Sequence, residues 1–145
     1  PHEQYLAQFK NADLYLDTFN YNAGTTASDV LMAGLPIVTK MGKSYASRMA
    51  ASLLNAADMQ ELITKTPKEY EALALALAIN RKKLNKVKVK LQKNIKVTPI
   101  FKTELYTSYL EEGLKKAYKI FYSGKSAQNI EVEVEAVQTN VEIPS

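Results

Sequence analysis

The residues best suited to chemistry lie in one stretch, Asp13 to Gly34, which reads DLYLDTFNYNAGTTASDVLMAG. Within it, Asn20-Tyr21-Asn22-Ala23-Gly24-Thr25-Thr26 is a polar turn whose single glycine stands immediately before two hydroxyl residues. The first N–H groups of a helix have no intrahelical partner and sit at the positive end of the helix dipole. A glycine just ahead of them lets an anion approach the main chain, and threonine hydroxyls add donors beside it. Gly24, Thr25 and Thr26 in this order can therefore hold a diphosphate without a metal ion. The same residues admit a plainer reading, because Thr26-Ala27-Ser28-Asp29 fits a capping box in which Asp29 reaches back to the cap N–H.

Other candidates are sparse. Lys40 and Lys43 follow a second apolar run and can face a phosphate from a neighbouring loop, or stay solvated. Arg48 near the start of a helix opposes the dipole preference for acids there, which suggests a partner such as Asp17 or Asp29. His2 is the sole imidazole, and at the chain end a solvated side chain is its plain reading. With no cysteine and one histidine, the sequence excludes thiolate metal sites, a cysteine nucleophile and histidine-rich metal centres.

These residues need elements to position them. Leu14 to Thr18 reads as a short buried strand, and Ala27 to Ala33 as a helix stopped by Gly34 in the usual position past a helix end. Leu35 to Thr39 reads as a second buried strand, so strand, helix and strand make one parallel βαβ unit. Ligands in such sheets bind at the carboxyl ends of the strands, where the turn at 19–26 and the loop at 40–44 both fall. Ahead of this unit, Tyr5, Leu6, Phe9 and Ala12 recur at helical spacing, predicting a short helix over 3–11 packed on the sheet. Behind it, Ser44 or Ser47 opens a third helix with Met49, Ala50, Leu53 and Leu54 on one face.

From Asp58 the chain reads as helical. Thr66-Pro67-Lys68-Glu69 starts a helix by the cap-then-proline rule, and Asn80 ends or interrupts it. Residues 81–96 then hold eight of the 19 Lys and Arg residues and no acid, and they account for most of the net charge of +4. Leu84, Val87, Leu91 and Ile95 recur every three or four residues, leaving the lysines for a solvated face. No aromatic residues are interleaved for stacking on bases, so nucleic acid is not expected as a partner. Thr103 caps a long helix whose Tyr106, Tyr109, Leu110, Gly113, Leu114, Ala117, Tyr118 and Phe121 form an apolar stripe, read for the most part as core. Beyond Gly124 the alternation from Ile130 to Glu135 suits an edge strand or a mobile acidic tail.

The 145 residues suit one domain, with 46% hydrophobic and 23% charged residues, ordinary for a globular protein. No apolar run approaches the roughly 20 residues that span a bilayer. A cytoplasmic protein is the expectation, and the chain begins with Pro1 rather than Met.

Several blocks carry a family resemblance. Residues 12–19, then Tyr21-Asn22-Ala23-Gly24-Thr25-Thr26-Ala27-Ser28-Asp29, then Ala33-Gly34-Leu35-Pro36-Ile37-Val38-Thr39 closely resemble the C-terminal catalytic domain of O-linked N-acetylglucosamine transferases. Gly42 with residues 46–54, Glu61-Leu62-Ile63, Glu69-Tyr70-Glu71 and Thr98-Pro99-Ile100-Phe101 continue the match, which runs from about Tyr5 to Tyr122. Bacterial members, which join tetratricopeptide repeats to this domain, look most similar.

The resemblance implies an α/β fold, the C-terminal Rossmann-like half of a two-domain GT-B glycosyltransferase with a helical C-terminal part. A partial nucleotide-sugar-binding domain would occupy 1–123, with the βαβ unit at about 13–57, the helical part at about 58–123 and a mobile acidic tail at 124–145. The implied activity is metal-independent, inverting transfer of a sugar to Ser or Thr of proteins, with UDP-GlcNAc as the favoured donor and glucose or fucose donors in relatives. Gly24, Thr25 and Thr26 would hold the diphosphate and Asp29 the ribose hydroxyls. Tyr5 and Gln8 stand where relatives commonly carry a His and an Arg near the base, and Gly24 where many carry a His. No cofactor is implied. The general base, the acceptor site and probable tetratricopeptide repeats would lie in the rest of the polypeptide, leaving no catalytic residue here. A non-catalytic interaction module of the same fold is the alternative.

Overall fold

The structure, a computed structural model, describes residues 2–133. It divides into two compact units, one ending at Ile100 and one beginning at Phe101.

The first unit is built on a parallel sheet of three strands. Helix α1 (His2–Gln8) precedes β1 (Tyr15–Leu16), and α2 (Thr25–Met32) connects it to β2 (Ile37–Lys40). Helix α3 (Met49–Ala56) then leads to β3 (Ile63–Thr64), followed by α4 (Pro67–Ile79) and α5 (Arg81–Val97). The strand order is β1-β2-β3, with Tyr15 opposite Ile37 and Thr39 opposite Ile63. As the central strand, β2 is covered on both faces, and Ile37, Val38 and Thr39 are fully buried. An unbroken apolar run is what such a strand requires. Around it pack Ala27, Val30 and Leu31 of α2, Ala50, Ala51 and Leu54 of α3, Leu77 of α4, and Leu84 and Leu91 of α5. Each such leucine contributes about 1.5–3 kcal/mol of transfer free energy.

Gly34 ends α2 as expected. At φ +79 it takes the left-handed conformation that side chains disfavour. Its N–H donates to Leu31 O and the Leu35 N–H to Val30 O, the paired bonds of a Schellman cap. The cap turns the chain straight into β2, which aligns the carboxyl end of that strand beside the start of α2.

Several expectations are corrected. The strand expected over Leu14 to Thr18 shrinks to two residues at the sheet edge, and Leu16 is 54% exposed because no strand flanks it there among the described residues. The helix expected over 3–11 ends at Gln8 and continues as a 3-10 turn, Phe9–Asn11. None of residues 3–11 is fully buried, and only Leu6 and Phe9 are half-buried, so this helix adds little to the core that the sequence predicted it to join. The third helix starts at Met49 after a 3-10 turn, Ala46–Arg48, and Ser44 and Ser47 hydrogen-bond each other within the loop. The third strand, where helix was expected, follows from pairing, since Thr64 Oγ1 donates to Thr39 O and the Met41 N–H to Thr64 O. Two residues carry too little periodicity to announce a strand.

Farther along, α4 starts at Thr66-Pro67 as the sequence predicts, with Thr66 and Glu69 forming a capping box besides, and Asn80 both ends α4 and caps α5 by accepting from the Lys83 N–H. The stripe on α5 also holds, with Leu84 and Leu91 buried. Its basic face is not wholly solvated, because Lys88 pairs with Asp13 and Lys90 with Glu61. Asn94, buried among apolar neighbours, donates through Nδ2 to Ala57 O and Asp58 O at 3.0 Å each. That bond stabilises the bend after α3, where Asp58 takes a positive φ of 54.

The second unit consists of α6 (Thr103–Tyr122) and the segment behind it. Thr103 is the first residue of the helix and Lys102 its cap, without a side-chain bond, so the expected threonine cap is absent. No residue of α6 is buried, contrary to the core reading of its stripe. Residues 125–133 form no strand, and Lys116 Nζ donates to Glu131 O. The rest of the expected tail, 134–145, lies outside the described residues.

Candidate functional site

Asp17 sits at the carboxyl end of β1 with 4% of its surface exposed. Its Oδ1 accepts from the N–H groups of Thr18 (2.9 Å) and Ala23 (2.8 Å), and Oδ2 accepts from Thr39 Oγ1 at 2.6 Å. A buried carboxylate must be compensated, and here the compensation closes the turn from 18 to 23 and ties it to the central strand. From α4, Tyr70 Oη donates to Asp17 O at 2.9 Å. Burial first, and then the Asp17 carboxylate, push the phenols of Tyr70 and Tyr15 above their ordinary range. Both phenols therefore stay protonated near neutrality, and Tyr70 keeps its proton to donate.

The turn is tied a second time by Asn22, which is fully buried. Its N–H donates to Ala46 O at 2.9 Å and its Nδ2 to Thr18 O at 2.6 Å. Thr18 Oγ1 donates in turn to Tyr21 O. The loop after β1 is thus fastened to the loop after β2, and both lie at the carboxyl edge of the sheet.

Gly24 takes the cap position of α2, and no side chain caps it. The capping box of Thr26 and Asp29 does not form, because the helix begins one residue before Thr26. Among the described residues the N–H groups of Thr25, Thr26 and Ala27 find no partner, and the first bond of the helix is Ser28 N–H to Gly24 O. They stand at the positive end of the dipole. Beside them opens a cavity of about 490 Å³ lined by Tyr15, Thr18, Tyr21, Asn22, Ala23, Gly24, Thr25, Thr26, Tyr45, Ala46 and Met49. A Cβ on Gly24 would come 3.2 Å from the Met49 tip, so glycine keeps this approach open.

The structure brings Gly24, Thr25 and Thr26 together on this cavity and leaves the other candidates off it. Asp29, one turn into α2, is half-buried and does not line it. Lys40 at the end of β2 places Nζ 5.1 Å from the ring centre of Phe19. Tyr5 stacks edge-on against Phe9, and Gln8 is exposed at the end of α1. Lys43 and Arg48 are exposed. Arg48 pairs with neither Asp17 nor Asp29, since the Asp17 carboxylate is filled by the turn. The side chain of His2 lies outside the described residues.

Tyr45, Ala46 and Met49 were not singled out as site residues by sequence. The available signal was topological, since loops that follow adjacent parallel strands meet at the same edge.

A parallel sheet whose strands are joined by helices belongs to the open α/β class of folds, in which ligands bind at the carboxyl ends of the strands. The profile of glycosyl transferase family 41 matches residues 1–110, and the chain belongs to that family. It is 33% identical over 134 residues to a probable UDP-N-acetylglucosamine–peptide N-acetylglucosaminyltransferase, SEC, of Arabidopsis thaliana, covering 92% of this chain and 13% of that protein. With the UDP-N-acetylglucosamine–peptide N-acetylglucosaminyltransferase of Caenorhabditis elegans it shares 32% over 128 residues, 88% of this chain and 11% of the other. Among solved structures, an O-GlcNAc transferase mutant of Thermobaculum terrenum superposes with a TM-score of 0.74 at 31% identity, over 80% of this chain and 22% of that one. The α/β architecture is accordingly that of a GT-B glycosyltransferase. The chain spans less than a quarter of the length of each of these relatives.

Proposed function

We propose that this chain forms the nucleotide-sugar-binding part of an inverting protein O-glycosyltransferase that transfers N-acetylglucosamine from UDP-GlcNAc to Ser or Thr hydroxyls of proteins, without a metal ion. The observation that carries the reading is the uncapped start of α2, opening on a partly polar cavity in a chain of glycosyl transferase family 41. Departure of a nucleoside diphosphate builds negative charge on its terminal phosphate. Fixed N–H dipoles aimed at that charge stabilise it without reorganisation, the work a metal does elsewhere. Thr25 and Thr26 supply main-chain and hydroxyl donors, and Gly24 gives the phosphate access. Asp29 accepts from the ribose hydroxyls, Tyr5 and Gln8 lie toward the base, and Lys40 adds positive potential at the same sheet edge.

The general base and the acceptor peptide site belong, in this reading, to the remainder of a longer cytoplasmic polypeptide with tetratricopeptide repeats. The 145-residue chain alone is then expected to transfer no sugar, and a radiolabelled-donor assay showing transfer would contradict this. Calorimetric titration of the full-length protein with UDP and GDP, each with and without a chelator, tests the donor site. UDP binding that survives the chelator supports the reading, and a GDP preference would keep the mechanism with another donor. If neither nucleotide binds, the interaction-module alternative takes its place. Among the described residues no helix is long and apolar enough to cross a membrane.

A further inference from the structure

The turn that leads into α2 is also held from a distant part of the chain. β1 ends at Leu16, and the main-chain oxygen of the next residue, Asp17, accepts from Tyr70 Oη of α4 at 2.9 Å. The Tyr70 ring meets Phe19 of the same turn edge to face, with ring centres 4.9 Å apart and planes at 88°. Tyr70 is itself fixed in the first turns of α4, behind the capping box of Thr66 and Glu69. Just ahead of that box, Thr64 Oγ1 donates to Thr39 O at 2.9 Å, and Thr39 Oγ1 donates to Asp17 Oδ2 at 2.6 Å. The hydrogen bonds thus close a circuit from Tyr70 to Asp17, on to Thr39 and Thr64, and back along the chain to Tyr70. Tyr70 itself does not line the cavity at the start of α2.

We propose that Tyr70 is a positioning residue for nucleotide binding: its hydroxyl sets Asp17, and through Asp17 the turn that presents the N–H groups of Thr25 and Thr26. The proposal rests on the reading of those groups as a diphosphate site. The transmission has few steps. Asp17 Oδ1 accepts from the Ala23 N–H at 2.8 Å, and Ala23 precedes Gly24, the cap residue of α2. A shift of the Asp17 main chain therefore moves Ala23, and with it the residue that opens the helix. Hydrogen bonds weaken steeply as their angle closes, so a small tilt of the turn costs affinity without unfolding the protein. Helix α4 in this way acts on the site without lining it.

Tyr70→Phe separates the two attachments, since the ring on Phe19 stays and only the hydroxyl is lost. UDP is titrated calorimetrically into the full-length protein, into this variant and into Asn80→Ala, which loses the α5 cap at the far end of α4 and measures plain destabilisation. Tyr70→Phe is expected to raise the dissociation constant for UDP about fivefold with the number of sites per protein unchanged, and Asn80→Ala to leave the constant as it is. A purely structural role for Tyr70 would lower the fraction of protein that binds and leave the constant alone. An unchanged constant in Tyr70→Phe, or an equal rise in both variants, would overturn the positioning role while the diphosphate site stands. A parent protein that binds no UDP would overturn both.

Discussion

Asp17 does more to shape the site than any residue that faces it. Three donors converge on its carboxylate, two from the turn and one from the central strand. Removing it leaves two part-buried N–H groups and the buried Thr39 hydroxyl without partners, the costly side of hydrogen-bond energetics. Asp17→Ala is expected to lower stability by about 2–4 kcal/mol in urea unfolding, with the Thr39→Ser variant, which keeps the hydroxyl, losing much less. Equal losses would show that Thr39 acts through its methyl packing instead. At this scale the sequence was partly legible. Gly24, Thr25 and Thr26 announce themselves by type and order, whereas Asp17 and Asn22 act through bonds to residues 22 and 24 positions away. No local pattern encodes such distant partners.

Between elements, the contrast of two helix starts is informative. Helix α4 begins with its donors satisfied by Thr66 and Glu69, while α2 begins with none satisfied by a side chain. The carboxylate of Glu69 accepts first from the Lys65 N–H and also from the Thr66 N–H, which holds its pKa below the usual glutamate range. A depressed folded pKa gives stability that is present above the unfolded value and lost as pH falls through the folded one. Amide exchange at the start of α4 is therefore expected to accelerate as pH drops below about 4.3, after correction for intrinsic rates. The Glu69→Gln variant should lack this dependence, and an identical profile for the two proteins would contradict the assignment. The helix start at Thr66 and the helix ends at Asn80 and Gly34 were readable in advance, whereas the cap Asn80 gives α5 was not. The Thr26 box was not, because whether a helix begins one residue earlier depends on the turn that Asp17 and Asn22 hold.

For the whole molecule, the two units differ in how they are stabilised. Residues up to Ile100 enclose a core around β2, while α6 buries none of its residues and leaves Phe121 75% exposed. Tyr106, Leu110, Leu114 and Tyr118 continue that exposed face. An apolar surface of this kind favours association when uncovered. The 145-residue chain is expected to self-associate in sedimentation velocity, and Leu114→Glu with Tyr118→Glu to shift it toward monomer. Unchanged association would place the contact elsewhere. The amphipathic pattern of α6 was plain in the sequence. It did not say whether the face meets this chain's own core, since a period reports a buried side without naming what buries it. The short β3 was illegible for a related reason, as two residues become a strand only when β2 lies beside them, and β1, though expected, keeps only two of its five expected residues.

The central claim is that α2 leaves its first N–H groups unpaired in order to hold a diphosphate. Its most direct test is the affinity of the full-length protein for UDP before and after the double substitution Thr25→Ala/Thr26→Ala, in chelator and at constant salt. The account predicts binding weakened by about 1–3 kcal/mol, the scale of hydrogen bonds to a charged group, with the melting temperature of the unliganded protein unchanged. Unchanged UDP affinity in a folded double variant would contradict the hydroxyl contacts that the account gives the diphosphate.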